Sequence, residues 1–297
     1  MNSDTLLAVP NVSEGRDAGL IDQLAGAFSE QAELLDTHSD ADHNRTVFTL
    51  AGTPAVLRQA LLAGAQETVA RLDMTTHVGE HPCVGALDVC PVVFPAADGE
   101  QRAATVAREL APRIAEANGL PVFLYGRLAS APERRERAFF RRGGVVELAR
   151  RLQAGELRPD FGPERIHPSA GAVLVTARPP LVAFNLELDT GDVELARAVA
   201  AQLRESGGGL PGVRAIGLGL SSGRAQISTN VHDPFAVPLA EVVERTAALA
   251  GALGARPVAA ELVGLAPRAA FDGFPAELPI PGFDPRWHLI EARLGGR

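Results

Sequence analysis

One order of elements, strand, helix, strand, strand, helix, strand, is written twice along this chain, and that repetition limits the fold more than any other feature. In the first copy residues 6–9 read as a short buried strand closed by Pro10, and Leu20, Ile21, Leu24 and Phe28 recur at helical spacing over 18–28. Residues 33–36 read as a strand, 37–44 as a loop and 45–51 as a strand with Thr46, Phe48 and Leu50 on one face. Thr53 as N-cap and Pro54 at the first helical position open a helix running to about Met74, and residues 87–94 form the fourth strand. The second copy has strands over 181–188, 213–220, 224–231 and 257–263, with helices over 192–204 and 239–253. The two copies share the order of elements and not sequence identity. Between them lie a helix over 101–117, a strand over 121–125 and an Arg-rich stretch, 134–165, that is helical in part. Its arginines fit a solvated, ion-paired surface or an anion-binding role.

The class implied is α+β, with two ferredoxin-like βαββαβ subdomains, residues 1–177 and 178–297, meeting near Arg178-Pro179-Pro180. Alternation in the second copy adds a functional expectation. Val182, Phe184, Leu186 and Leu188 share one face, leaving Asn185 and Glu187 on the other; Gln226, Ser228 and Asn230 likewise share a face. With helices over the apolar faces, the polar faces are expected to look into a ligand cleft between facing sheets, or else simply to meet water.

The chemistry concentrates in Thr76-His77-Val78-Gly79-Glu80-His81-Pro82-Cys83-Val84-Gly85-Ala86-Leu87-Asp88-Val89-Cys90-Pro91, a polar loop that becomes an apolar strand. Such a loop, held by a rigid strand, suits a base, nucleophile or ligand. Pro82 biases His81 towards an extended backbone, and Gly79 also opposes a helix, so the pair does not follow the helical H-E-x-x-H zinc pattern. A neutral imidazole can take a proton near pH 7 and return it; from spacing alone His81 is equally a structural loop residue. Glu80 and His77 either orient His81, contact substrate or shape the loop. Asp88 offers a carboxylate or a strand partner, Cys90 a small core side chain, and Cys83 a loop thiol with no visible activation.

The loop resembles the H-x-G-E-H-P-x-x-G-A-L-D-V-C-P segment of the glutamate formimidoyltransferase family, whose formiminotransferase domain occurs alone or ahead of a cyclodeaminase; this chain is similar to the standalone form. Asp36 to Thr46 resembles the family's D-x-x-x-x-x-x-x-N-R-T stretch, Val9-Pro10-Asn11-Val12-Ser13-Glu14-Gly15 its V-P-N-F-S-E-G opening, and Pro159-Asp160-Phe161-Gly162-Pro163, Ala183-Phe184-Asn185 and Ser228-Thr229-Asn230 further stretches. The resemblance implies transfer of a formimino group from N-formimino-L-glutamate to tetrahydrofolate as co-substrate, in one-carbon metabolism and histidine degradation, with His81 as general base and then acid and no metal. It also implies a homodimer. Substrate contacts or support for His81 are expected from Asp40, Asn44, Arg45, His77, Glu80, Arg178, Asn185, Gln226 and Asn230. Of these, Arg45 and Arg178 are candidates for carboxylate recognition by a guanidinium fork. The chain departs from the family pattern at Val78 (Lys there), Cys83 (Arg), His38 (Asp, a partner for the catalytic His) and Ala170 (often Trp).

Composition describes an ordinary soluble globular protein. Hydrophobic residues make up 46% and charged residues 22%, enough to bury a core and too few charges for disorder. A net charge of −8 argues against nucleic-acid binding. All 28 basic side chains are Arg, so Schiff-base and P-loop lysine chemistry are excluded. No secretory signal or bilayer-length apolar run is visible, and the two Cys offer no disulfide framework, so a cytoplasmic location is expected. Two rival functions remain: a metal-dependent hydrolase built on His38, Asp40, His43, His77 and His81, and a non-catalytic folate- or amino-acid-binding protein of the same fold.

Overall fold

The computed structural model describes residues 4–80 and 82–295. Two compact units divide the chain between Pro179 and Pro180, each with its own sheet and buried core. In chain order the first carries β1 (Leu6–Ala8), β2 (Asn11–Val12), α1 (Ala18–Ser29), β3 (Glu33–Asp40), β4 (Arg45–Gly52), α2 (Pro54–Arg71), β5 (Leu87–Val93), α3 (Glu100–Asn118), β6 (Val122–Leu124), α4 (Arg137–Arg141), α5 (Gly144–Gln153) and β7 (Val173–Arg178).

The opening strand is broken in two. β1 and β2 both lie between β4 and β5, separated by Pro10, which has no N–H for the ladder. The ladder continues through the Pro10 carbonyl, which accepts from Phe48 N at 3.0 Å. Across the sheet the order is β3, β4, the broken strand, β5, β7, β6. The first four are antiparallel, as a βαββαβ unit requires, whereas β5, β7 and β6 run parallel.

Three local assignments differ from the sequence-based ones. β3 runs on to Asp40, pairing as far as Asp40 opposite Arg45, so half of the expected 37–44 loop is strand and a four-residue turn remains. α2 ends at Arg71, three residues short of Met74. Residues 173–178, outside the sequence-based strands, form β7 between β5 and β6.

Helix ends follow their caps. The Asp17 carboxylate accepts from Leu20 N to open α1, and the Thr53 hydroxyl accepts from Val56 N to open α2. Ile21, Leu24 and Phe28 of α1 meet Leu57 and Leu61 of α2 and Val106, Leu110 and Ile114 of α3 in a core over one face of the sheet. Gly64 lets α2 approach Phe28 closely; a Cβ there would stand 2.0 Å from the ring. The other face is covered too. In β6 and β7, Val122, Val173 and Val175 belong to the first core, while Phe123 and Leu174 join Phe140, Leu148 and Leu152 of α4 and α5 in a second. A parallel strand buried on both faces reads as an unbroken apolar run, as Val173-Leu174-Val175 does.

The second unit has β8 (Val182–Leu188), α6 (Val193–Leu203), β9 (Val213–Gly219), β10 (Ala225–Val231), α7 (Leu239–Gly251) and β11 (Pro257–Val263). Its sheet is antiparallel in the order β11, β8, β10, β9, compatible with the expected ferredoxin-like arrangement. Val182, Phe184, Leu186 and Leu188 are fully buried in one core with Ala196 and Val199 of α6 and Val242 of α7. Gly217 permits that packing, because a Cβ would lie 2.3 Å from Arg197 N. Among the described residues no helix is long and apolar enough to cross a membrane.

Candidate functional site

Three stretches far apart in sequence are tied together in the first unit: 13–16 after β2, 40–45 at the β3–β4 turn, and 77–88 leading into β5. The knot is Asn44. Its φ of 47° lies in the left-handed region that Asn tolerates better than most residues. Its Oδ1 accepts from Gly15 N at 2.9 Å, while Nδ2 donates to the Val78 carbonyl at 3.0 Å and meets His77 Nδ1 at 3.3 Å. Asp42 O accepts from Glu80 N at 3.1 Å, and Ser13 Oγ donates to Gly85 O at 2.8 Å. Two glycines allow these approaches: a Cβ on Gly79 would stand 2.5 Å from His43 O, and one on Gly15 2.2 Å from Asp40 O. A small depression results, lined by Ser13, His43, Asn44, Arg45, His77, Cys83 and Asp88.

His81 lies outside the described residues; these bonds hold the chain at Val78, Glu80 and Gly85. His77 is half-buried, and burial, with a smaller contribution from Arg16, holds its imidazolium pKa below the ordinary value. A neutral ring agrees with Nδ1 acting as acceptor for Asn44. Glu80 is exposed. Asp40 Oδ1 accepts from His43 N at 2.8 Å, and Oδ2 stands 3.6 Å from His43 Nδ1. Burial pushes the Cys83 thiol up to about 11 and Cys90 to about 12, which leaves neither as a thiolate nucleophile at neutral pH.

Arg45 and Asp88 bring charge to the depression. Asp88, 2% exposed, accepts from Val84 N at 2.7 Å and is ion-paired through its other oxygen with Arg141 Nη2. Arg45 is brought down to about 10, by burial first and then by the charges of Arg141 and Arg137, with Asp40 and Asp88 acting the other way, so it remains charged at neutral pH. Arg178, the last residue of β7, is also lowered to about 10 by burial and then by Arg137, and its Nη1 donates to Pro179 O at 3.0 Å. Arg137 and Arg141 did not figure among the sequence-based candidates; the sequence signal for them is Phe139-Phe140, an apolar pair inside the Arg-rich run that anchors this turn of helix.

A second polar group lies on the sheet of the second unit. Asn185 and Gln226 are each 2% exposed. Register puts Asn185 beside Ser228 and Glu261, and Gln226 beside Glu187. Asn185 Nδ2 donates to Glu261 Oε2 at 2.7 Å, Gln226 Nε2 reaches the same oxygen at 3.5 Å, and Gln226 Oε1 is buried with no hydrogen-bond partner among the described residues. Asn230, opposite Arg214, is partly exposed. Glu261 is thus a central member of this group that sequence alone did not single out; it occupies the polar face of β11 by the same alternation. Among the described residues no group of three or more His, Cys, Asp or Glu side chains is arranged to hold a metal ion.

Comparison with known proteins agrees with this assembly of motifs. Residues 5–178 match the formiminotransferase domain, N-terminal subdomain, and residues 183–273 match the formiminotransferase domain. The chain is 37% identical to a glutamate formimidoyltransferase of Streptococcus pyogenes serotype M1, covering 97% of this chain and 98% of that protein. It is 34% identical to a glutamate formimidoyltransferase of Thermoplasma acidophilum, covering 96% of each. A formimidoyltransferase-cyclodeaminase of Gallus gallus is 38% identical over 88% of this chain, which spans half of that longer protein. The chain belongs to the formiminotransferase family.

Proposed function

We propose that this protein transfers the formimino group of N-formimino-L-glutamate to N5 of tetrahydrofolate, giving L-glutamate and 5-formiminotetrahydrofolate. The observation that carries the reading is the near full-length similarity to glutamate formimidoyltransferases, which includes the stretches gathered around the Asn44 knot. In the reaction N5 attacks the amidine carbon, and a tetrahedral adduct forms that holds both nitrogens. N5 must lose a proton, and the glutamate nitrogen must gain one before its bond to that carbon breaks. One imidazole can do both in turn, and His81 is assigned that role. A neutral His77 and Asn44 would hold the loop in shape without competing for the proton, and Asn185, Gln226 and Glu261 offer amide and carboxylate groups suited to the pterin's donors and acceptors.

The test is direct. Purified protein given both substrates is expected to release glutamate, and His81→Gln is expected to lower kcat by roughly 10² to 10⁴, the usual contribution of general acid–base catalysis, with little change in substrate affinity. The wild-type rate should rise with pH through an ionisation near neutrality, and that limb should vanish in the variant. Near-wild-type turnover in His81→Gln would remove it from the chemistry. Loss of activity on chelation together with stoichiometric bound metal would favour the hydrolase, and binding of both substrates without turnover the non-catalytic reading.

A further inference from the structure

One short pattern occurs twice in the first unit: His81-Pro82-Cys83-Val84-Gly85-Ala86 ahead of β5 and His167-Pro168-Ser169-Ala170-Gly171-Ala172 ahead of β7. β5 and β7 are parallel neighbours in the sheet, and the two copies meet at their glycines. A Cβ on Gly85 would stand 2.1 Å from Ala172 O, and one on Gly171 2.3 Å from Val84 O, so neither position accepts a side chain. The second copy is a closed turn. His167 N donates to Gly171 O at 3.0 Å, and Gly171 N to His167 O at 3.1 Å. Inside it, His167 Nδ1 accepts from Ala170 N at 3.0 Å and from Ser169 N at 3.4 Å. Backbone N–H groups only donate, so these bonds require an Nδ1 without a proton. Ala170 is 1% exposed, and without the imidazole its N–H would be buried and unsatisfied. In the first copy the corresponding N–H, that of Val84, goes to Asp88 Oδ1 at 2.7 Å. One copy closes this bond with a carboxylate, the other with its histidine.

The turn is bonded to the His loop at both of the loop's ends. Before the loop, Ser169 O accepts from Met74 N at 2.7 Å; after it, Ala170 O accepts from Ala86 N at 2.9 Å and Ala172 N donates to Val84 O at 3.0 Å. Met74 and Val84 are thereby held apart at a set distance by one short stretch, and residues 75–83 span between them. The Asn44 knot grips the same loop from the side of the β3–β4 turn. We propose that His167 is a positioning residue for the transfer reaction: its imidazole acceptor holds the 167–172 turn, and the turn sets the span of the loop that carries His81. The assignment rests on the transfer reading above. It gives the two histidines of the repeated pattern separate duties, one in the chemistry and one in the geometry that the chemistry needs. A base must meet its proton within hydrogen-bond reach, so a shift of about an ångström in its loop lowers turnover and leaves more distant binding contacts alone.

The experiment compares wild type with His167→Phe, which keeps a ring and loses the acceptor, and His167→Asn, whose Oδ1 accepts from about the same place along the side chain. In His167→Phe kcat is expected to fall about tenfold to a hundredfold with both KM values unchanged, and His167→Asn should recover most of that loss. Amide hydrogen exchange reads the clamp without any turnover. Met74 N and Ala86 N should exchange about tenfold faster in His167→Phe, relative to Phe48 N in the sheet, and slow again in His167→Asn. A residue that merely stabilises the fold would shift all three amides together. Unchanged kcat in His167→Phe, a loss that His167→Asn does not recover, or Met74 and Ala86 amides no faster relative to Phe48 each overturns the assignment. If His167→Phe does not fold, His167→Gln takes its place, because its amide oxygen stands a bond further from the backbone and misses the turn. If wild type shows no turnover, the transfer reading falls, and the exchange data alone sustain or overturn the clamp.

Discussion

At the scale of single residues, position 77 carries a pH dependence with a definite sign. Burial lowers the folded pKa of His77, so the unfolded chain takes up a proton near the ordinary value of about 6.5 while the folded loop resists it. Stability from this residue is complete above that pH, falls as pH drops from there towards the lowered folded value, and levels off below it. His77→Asn keeps an acceptor for Asn44 and cannot titrate. Urea midpoints between pH 7 and pH 5 should therefore fall more steeply for wild type than for His77→Asn, and equal slopes would show that His77 is not held neutral. The three motifs at this site were legible in the sequence because each is a contiguous run of unusual residues. Arg137 and Arg141 were not, because a charged pair in an Arg-rich run looks like solvated surface until the packing of Phe140 is known.

At the scale of elements, the irregular pieces position the site, and they were hardest to read. Among the described residues β3 is an edge strand paired only with β4, so both its faces can be polar, and Thr37 to Asp40 lack the apolar alternation that marks a half-buried strand. β7 fails the same test for the opposite reason, being buried on both faces. The helices and the alternating strands of the second unit carry their period in plain view and match. α4 is too short to hold itself and depends on Phe140. Phe140→Ala is expected to cost about 3–5 kcal/mol in urea unfolding, the range for emptying an aromatic site in a core. Phe235→Ala, at a side chain 62% exposed, should cost less than about 0.5 kcal/mol. Similar losses at the two positions would mean that α4 is not docked through its aromatic residue.

At the scale of the whole molecule, the two units differ in how self-sufficient their sheets are. Residues 180–297 hold all four strands of the second sheet and a core of their own. Expressed alone, that segment is expected to unfold cooperatively with a single heat-absorption peak. A non-cooperative, dye-binding product would show that its core is not sufficient. The first unit has no such simple order of completion. Its β7 lies between β5 and β6 yet comes after both in the chain. During synthesis the β5 edge therefore waits about 80 residues, or roughly 4–16 s at ribosomal speed, for the strand that covers it. Until residue 178 has emerged, an apolar edge stays open to any neighbouring chain. Arg178, which the sequence reading expects to contact substrate, ends the strand that closes this edge, so that residue and the protection from misassembly arrive in the same stretch of chain.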